Sequence, residues 1–213
     1  MEKRNQLILN KLREVIPKPA TELHYSNNFE LLVAVILSAQ CTDKRVNMVV
    51  PELFEKYGTP EKMAIADPKD VERIIKPCGF YNNKTANIIN ASKQLVEKFN
   101  GQVPATMEEL TSLSGVGRKT ANVVMMVGFG IPSVPVDTHV FRVSNRLEIA
   151  KGKNVRQVEE AIMKNFNKED WNDLHHLLIL FGRYKCKAIN PQCETCELRE
   201  LCKYKKEKKN VSR

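Results

Sequence analysis

Four of the six cysteines in this 213-residue chain lie close together near its C-terminal end, in the spacing Cys-x6-Cys-x2-Cys-x5-Cys. In a chain without a recognisable secretory signal, clustered cysteines bind metal more often than they form disulfides. Structural zinc usually has two tight Cys-x2-Cys pairs and only one is present, whereas four thiolates on one loop can also surround an Fe4S4 cluster. The spacing therefore indicates a metal centre and leaves zinc and iron–sulfur open. The candidate ligands are Cys186, Cys193, Cys196 and Cys202.

A Gly-x-Gly turn between two helical patterns is the second candidate site. It consists of Gly115, Val116 and Gly117 and is followed by Arg118 and Lys119. Glycine permits a positive φ and a close approach of the backbone to a ligand. The N–H groups at the start of the following helix can bind a phosphate. The pattern indicates a helix-hairpin-helix that grips a DNA backbone without reading its sequence.

Lys119 and Asp137 could together carry out chemistry on a nucleotide. A primary amine that attacks C1′ of a sugar forms a Schiff base, provided that partial burial or a cationic neighbour such as Arg118 favours its neutral form. A carboxylate can stabilise the oxocarbenium charge that develops as the base departs. Simpler roles stay open at this point. Lys119 could contact a phosphate or only solvent, and Asp137 could cap the helix that begins near Thr138.

The overall charge points to a polyanionic partner. The net charge is +9 and the isoelectric point is about 9.2, which favours association with nucleic acid. Composition, 42% hydrophobic and 28% charged, is that of an ordinary soluble protein. The longest apolar run, Leu31–Leu37, is too short to span a bilayer, so we expect a cytoplasmic protein without a membrane partner. Six basic residues against Glu207 give the C-terminal tail a charge of +5: Lys203, Lys205, Lys206, Lys208, Lys209 and Arg213.

Helical periodicity runs through most of the chain and alternating patterns are scarce, so the predicted class is all-α. A weak domain boundary is predicted near residues 131–136. Cys41 and Cys78 lie apart in apolar segments and are expected to pack in the core. The predicted helices run from Leu7 to Ile16 and over Phe29–Gln40, Val46–Tyr57, Val71–Ile75, Ala86–Phe99, Met107–Leu113, Lys119–Phe129, Val155–Phe166 and Trp171–Tyr184.

In combination, these motifs resemble the endonuclease III family of bacterial DNA glycosylase/AP lyases. The resemblance rests on Leu-Ser-Gly-Val-Gly-Arg-Lys-Thr-Ala-Asn, on Val-Asp-Thr-His-Val-Phe-Arg and on the cysteine spacing, and it runs from about Thr21 to Cys202. It implies that Lys119 and Asp137 are the catalytic pair. It also implies a structural 4Fe-4S cluster that shapes a basic, DNA-contacting loop. The basic residues expected there are Lys185, Lys187, Arg199 and Lys203.

The resemblance also implies an architecture of two helical domains flanking a DNA-binding cleft. Residues 21–132 would form a six-helix barrel domain that contains the helix-hairpin-helix. Residues 1–20 plus 133–213 would form the iron–sulfur cluster domain.

Three further DNA contacts are carried over from the family. Gln40 would fill the gap left by an extruded nucleotide, and Phe80 would wedge into the base stack, although leucine is frequent at that position. Extrusion costs a few kcal/mol and is easiest for a damaged base. Simpler roles are a helix C-cap for Gln40 and a buried anchor for Phe80. His139 would lie near the sugar-phosphate. Ser114 stands where the family often has proline, which alters the stiffness of the turn rather than its chemistry.

The predicted function is base excision repair. The enzyme would remove oxidised or ring-saturated pyrimidines from double-stranded DNA and cleave the abasic site by β-elimination through a lysine Schiff base. We expect a monomer in the bacterial cytoplasm, associated with the nucleoid through DNA. One alternative is a monofunctional adenine mismatch glycosylase, although such enzymes generally lack the hairpin lysine and have a further C-terminal domain. Another is a non-catalytic iron–sulfur protein that binds DNA or transfers electrons, which would not need Lys119 with Asp137.

Overall fold

The computed structural model describes residues 2–204, so the rest of the lysine-rich tail lies outside the described residues. The regular secondary structure in this range consists of α-helices and short 3-10 helices, with no strand, which confirms the all-α class. None of the described helices is long and apolar enough to cross a membrane. The α-helices are α1 (Glu2–Val15), α2 (Asn28–Leu37), α3 (Asp43–Tyr57), α4 (Pro60–Ala64), α5 (Pro68–Ile75), α6 (Tyr81–Phe99), α7 (Met107–Thr111), α8 (Arg118–Phe129), α9 (Thr138–Leu147), α10 (Val155–Asn165) and α11 (Trp171–Tyr184).

The chain divides into two compact units. We call Thr21–Ser133 the hairpin unit, and the described residues of Met1–Ala20 and Val134–Arg213 the cluster unit. The hairpin unit contains seven α-helices, whereas the resemblance implied six. Two of the seven, α4 and α7, have only five residues each.

The core of the hairpin unit forms around α2. This helix is apolar on nearly all sides, and Phe29 and Leu31–Leu37 are buried. It packs against α3, α6 and α8, so one central helix is covered by its neighbours within the unit. The sequence prediction of a central buried helix is therefore confirmed, although the helix ends at Leu37 rather than at Gln40.

Side-chain caps determine where most helices begin. The side chains of Asn27, Thr42, Thr59 and Asp67 each accept a hydrogen bond from a backbone N–H in the first turn of the helix that follows. Proline occupies the first position of α4 and of α5, where its missing N–H has no consequence. The periodicity missed α4 because five residues are too few to show a repeat.

The cluster unit packs α1 against α11 and α9 against both α10 and α11. Ile8, Leu9 and Leu12 of α1 are fully buried in its core. Leu7 of the same helix is 56% exposed and lies outside this core. Arg4 Nη2 donates to the carbonyl oxygens of Leu147 and Leu201 at 2.7 and 2.6 Å, which fastens α1 to both segments.

Candidate active site and metal centre

The Gly-x-Gly turn is built as a tight link between α7 and α8. Gly115 has a φ of +74°, and a Cβ at this position would lie 2.7 Å from Cβ of Asn87, so only glycine fits without strain. Val116 is 6% exposed and packs in the core of the hairpin unit. Its N–H donates to Leu113 O at 3.1 Å. Val116 therefore anchors the turn through its side chain. Because this side chain is buried, it is poorly placed to contact DNA.

Gln94 on α6 stabilises the same turn through two hydrogen bonds to its backbone. Its Nε2 donates to Ser112 O at 3.2 Å, and its Oε1 accepts from the backbone N–H of Ser114 at 2.7 Å. A side-chain amide can satisfy a carbonyl and an N–H at once, which suits a turn that lies between two helices. Gln94 could not be predicted from the sequence, because nothing in the local pattern relates it to a turn about twenty residues away.

The first turn of α8 is exposed and positively charged. Gly117 is the N-cap residue, and no side chain caps the helix. A Cβ at Gly117 would meet nothing within 4 Å, and Gly117, Arg118 and Lys119 are all exposed. Since N–H groups at a helix N-terminus and adjacent cations attract anions, this turn is suited to a DNA phosphate. A neutral, reactive amine was expected to need either partial burial or a cationic neighbour. Lys119 is not buried, but the cationic residue Arg118 is adjacent to it.

Asp137 is the N-cap residue of α9 and is half-buried. Its Oδ1 accepts hydrogen bonds from the backbone N–H groups of His139 and Val140, at 2.8 and 2.7 Å. Among the described residues no hydrogen bond to Oδ2 is found. The cap reading is therefore confirmed, and it fixes the direction of the carboxylate while one oxygen is still available for chemistry.

The segment that leads into Asp137 is held by a buried histidine that the sequence analysis did not place in the site. His175 on α11 is 3% exposed, and its Nδ1 lies 2.8 Å from Pro135 O. A carbonyl only accepts, so Nδ1 carries the proton in this contact. This hydrogen bond fixes the backbone two residues before Asp137.

His139 packs inside the cluster unit. Its Nδ1 lies 3.1 Å from Nη2 of Arg142, and a Cβ at Gly182 would meet Cβ of His139 at 3.0 Å. A guanidinium can only donate, so Nδ1 is the acceptor in this contact. Burial lowers the pKa of His139, and the charge of Arg142 lowers it further, although Asp137 opposes the shift. His139 is half-buried and its Nδ1 is occupied by Arg142, so a contact with a sugar-phosphate would have to use Nε2.

Gln40 and Phe80 share an unusual backbone conformation. Their φ angles are +52° and +49°, in the left-handed region that residues other than glycine rarely adopt. Both side chains are exposed, Phe80 by 64%. The buried-anchor reading of Phe80 is therefore wrong. The C-cap reading of Gln40 is also wrong, because Ser38 is the C-cap of α2. Strained residues of this kind concentrate at binding and catalytic sites.

The Gln40 and Phe80 loops meet through two cysteines. Cys78 is buried, and its Sγ lies 3.9 Å from Arg45 O in the first turn of α3, while Cys41 Sγ lies 3.6 Å from Thr42 O at the cap of the same helix. Burial raises the pKa of Cys78 to about 12, and its hydrogen-bonded neighbour Cys41 contributes to the shift. Both pack against the core as expected, and the fold brings them together although they lie far apart in the sequence.

The four clustered cysteines line a single cavity in the cluster unit, together with Phe181 and Tyr204. No disulfide joins any of the four. In the described part of the chain, no three His, Cys, Asp or Glu side chains are arranged to hold one metal ion. Four thiolates around one cavity can hold a cluster of several irons, because the irons of a cluster lie at separate corners. Four sulfur donors fit iron–sulfur chemistry.

The surroundings of two of these thiols change their pKa values. Burial raises the pKa of Cys196 and of Cys202 above the ordinary value for cysteine. Because thiolates are the ligands of a metal, binding has to release these protons, and the positive charge of iron compensates for the cost of burying thiolate.

Two arginines on α9 brace the loop that contains the cysteines. Arg146 Nη1 donates to Lys187 O at 2.7 Å and Nη2 donates to Ala188 O at 3.1 Å. Nη1 also lies 3.5 Å from Cys186 Sγ, and the guanidinium lies 4.5 Å from the ring centre of Tyr204. Arg142 Nε donates to Cys186 O at 3.2 Å. The helix that Asp137 caps therefore also supports the cysteine loop, a role of the two arginines that the sequence did not predict.

The basic residues around the cysteine loop are partly paired at the surface. Lys185 Nζ lies 3.2 Å from Glu197, and Lys203 Nζ lies 3.4 Å from Glu148. Arg199 donates to Glu194 O at 3.3 Å, and Lys187 is exposed. Surface ion pairs contribute at most about 1 kcal/mol, so these cations could exchange carboxylates for phosphates at little cost.

Comparison with known proteins agrees with this geometry. Residues 33–168 match the family described as HhH-GPD superfamily base excision DNA repair protein, and residues 186–202 match the iron-sulfur binding domain of endonuclease III. The chain is 48% identical to endonuclease III of Bacillus subtilis (strain 168) over 212 residues, which cover 98% of this chain and 97% of the relative. It is 50% identical to endonuclease III of Escherichia coli (strain K12) over 198 residues, 93% of this chain and 94% of that protein.

Solved structures show the same similarity. A trapped endonuclease III–DNA covalent intermediate, the estranged-adenine complex, is 46% identical and superposes with a TM-score of 0.91, with 96% of each chain covered. A non-covalent endonuclease III–DNA complex is 45% identical and has a TM-score of 0.92, with 96% of each chain covered.

The helix-hairpin-helix and the cysteine loop thus define a base excision DNA repair protein of the HhH-GPD superfamily. Within that superfamily, the chain belongs to the endonuclease III family. Its cofactor is a 4Fe-4S cluster, for which the four thiols around the shared cavity are suitable ligands.

Proposed function

We propose that this protein is a bifunctional DNA glycosylase and AP lyase that removes oxidised or ring-saturated pyrimidines from double-stranded DNA. The observation that carries the proposal is the position of Lys119, exposed in the first turn of α8, directly after the phosphate-suited Gly-x-Gly turn. An amine at this place lies next to the backbone that the turn would hold. Membership of the endonuclease III family supports the same activity.

Binding begins at the sugar-phosphate backbone. The N-terminus of α8 takes a phosphate through its N–H groups, with Arg118 adding charge. The damaged nucleotide leaves the stack, and the exposed side chains of Gln40 and Phe80 occupy the space that it vacates. The two loops are suited to this role because their strained backbone is already in place before DNA arrives.

Chemistry then requires a carboxylate and an amine on one deoxyribose. Asp137 stabilises positive charge on the sugar as the glycosidic bond breaks and the base leaves with its bonding electrons. Lys119 Nζ forms a bond to C1′, and ring opening gives an imine. Loss of a proton from C2′ then expels the 3′ phosphate, and water releases the enzyme from the sugar. The strand is cut on the 3′ side of the lesion.

The cysteine loop contributes to binding rather than to excision. When bound, the 4Fe-4S cluster cross-links Cys186, Cys193, Cys196 and Cys202 and so holds the loop in one shape. Arg146 and Arg142 support that shape through backbone carbonyls. Lys187 and its basic neighbours then contact phosphates. We propose that the protein acts as a monomer in the bacterial cytoplasm, on nucleoid DNA.

Product analysis on a panel of duplexes tests this function. The panel contains thymine glycol, uracil, adenine opposite an oxidised guanine, and an abasic site. We expect excision and 3′-side cleavage at thymine glycol, and cleavage at the abasic site. Lys119→Ala should abolish strand cleavage, whereas Lys93→Ala, an exposed lysine on α6, should cleave normally. Excision of adenine without strand cleavage would instead support a monofunctional mismatch glycosylase, and no processing at all would support a non-catalytic protein.

A further inference from the structure

Lys84 is a buried lysine with no obvious structural reason to be lysine. It lies in the first turns of α6 and is 4% exposed. Among the described residues its amine has one hydrogen-bond partner, Cys78 O at 2.9 Å, and no carboxylate pairs with it. Burying an amine with so few partners is unfavourable, and an apolar side chain of similar length would fill the same space at less cost. A requirement other than core packing therefore explains this residue.

The contacts of Lys84 enclose the loop that presents Phe80. Its Nζ donates to the carbonyl of Cys78, two residues before Phe80, and its backbone N–H donates to the carbonyl of Phe80 itself at 3.0 Å. One residue thus fastens both ends of the Cys78–Phe80 segment. Between these two points, Gly79 has a φ of +67° and Phe80 has a φ of +49°.

The loop needs such restraint because its conformation is intrinsically unfavourable. A phenylalanine in the left-handed region is strained, and no side chain caps the start of α6 to compensate. Strained backbone persists only where surrounding contacts determine it. If the Cys78 carbonyl were released, the loop could relax, and the exposed ring of Phe80 would no longer be held in one direction.

We infer that Lys84 is a positioning residue that holds Phe80 in its exposed, left-handed conformation, ready to enter the DNA stack. The inference rests on the proposed insertion of Phe80 and extends it to the residue that makes insertion efficient. Lys84 need not touch DNA, since it acts through the Cys78 carbonyl. The role predicts that the effect of Lys84 depends on Phe80 and on duplex structure.

A double-mutant cycle tests this dependence. Cleavage rates of the cluster-loaded protein are measured under single-turnover conditions on an abasic site in a duplex and on the same site in a single strand, where no stack has to be entered. We expect Phe80→Ala and Lys84→Met each to lower the duplex-to-single-strand rate ratio by about ten-fold. In the Phe80→Ala background, Lys84→Met should cause no further loss. Lys93→Met, on the exposed face of the same helix, should leave the ratio unchanged.

The possible results are distinguishable. Equal losses on both substrates, or losses that multiply in the double variant, would assign Lys84 to general stability and overturn the inference. A defect in Phe80→Ala without one in Lys84→Met would overturn the inference alone. A normal ratio in Phe80→Ala would overturn the proposed role of Phe80, and the inference with it. If Lys84→Met does not fold, Lys84→Gln, which is shorter and still polar, takes its place in the cycle with the same criteria.

Discussion

The carboxylate of Asp137 accepts the backbone N–H of Val140 at 2.7 Å through Oδ1, the same oxygen that accepts the N–H of His139. The two simplest readings of this aspartate, a helix cap and a catalytic carboxylate, are therefore compatible. Oδ1 caps the helix, and Oδ2 is available for catalysis. The cap also restricts the side chain to one rotamer and so fixes the direction of Oδ2.

Substitution of Asp137 separates the two roles. Asparagine caps a helix about as well as aspartate, so Asp137→Asn should keep its stability but lose base excision by about 100-fold, because no carboxylate then stabilises the positive charge that develops on the sugar. Asp137→Ala should lose both the activity and about 1 kcal/mol of the free energy of unfolding. Single-turnover excision and urea denaturation measure the two quantities. Excision by Asp137→Asn at the normal rate would reduce Asp137 to a cap.

The two hairpin glycines should differ in the property they control. Gly115→Ala places a Cβ 2.7 Å from Asn87 Cβ at a φ of +74°, so we expect a loss of stability of about 1–2 kcal/mol. Gly117→Ala meets nothing within 4 Å, so it should fold normally but bind DNA more weakly, because its methyl group occupies the approach of a phosphate. Thermal unfolding and fluorescence anisotropy with a duplex that contains an abasic-site analogue would distinguish them. Normal DNA affinity of Gly117→Ala would contradict the phosphate assignment.

Arg146 should control how firmly the cluster is held. Arg146→Met removes the hydrogen bonds to Lys187 O and Ala188 O, so the cysteine loop loses support and the cluster should be lost to a chelator about ten-fold faster. Loss is followed by the visible absorbance of the cluster. Arg156→Met, which breaks only an exposed ion pair with Glu160, is the matched control. Equal rates for the two variants would show that Arg146 does not control how firmly the cluster is held.

Asp70 should make the hairpin unit sensitive to acid. Hydrogen bonds from Arg73, Tyr57 and Lys56 lower the pKa of Asp70 from 3.8 to about 2. Because the pKa is lower in the folded than in the unfolded state, Asp70 stabilises the fold at any pH above its unfolded-state pKa. This contribution disappears as the pH falls from about 3.8 through 2. Asp70→Asn should therefore lower the melting temperature at neutral pH and cause a smaller difference near pH 2. A difference that is constant with pH would contradict this origin.

Local signals in the sequence were sufficient for much of this description. Helix class, the central helix α2 and the start of α9 follow from periodicity and capping residues, which act within a few positions. The Gly-x-Gly pattern indicated the hairpin because the positive φ of Gly115 is a local requirement, and the cysteine spacing indicated a metal centre.

Support for these features could not be predicted, because it comes from residues distant in the chain. Gln94 meets the hairpin turn, His175 meets Pro135 and Arg146 meets Lys187 only after the helices have packed. The exposure of Phe80 was expected only from the family resemblance, because by local pattern alone an aromatic residue after a buried segment is more often part of the core. For the same reason, no pattern placed Cys41 beside Cys78.

The central claim is that Lys119 bonds covalently to the sugar. Borohydride reduction during turnover on a duplex with an abasic site should trap a protein–DNA adduct, and peptide mass spectrometry should map the added mass to Lys119. Strand cleavage with no trapped adduct, or an adduct that maps to another amine and forms equally well in Lys119→Ala, would contradict the account.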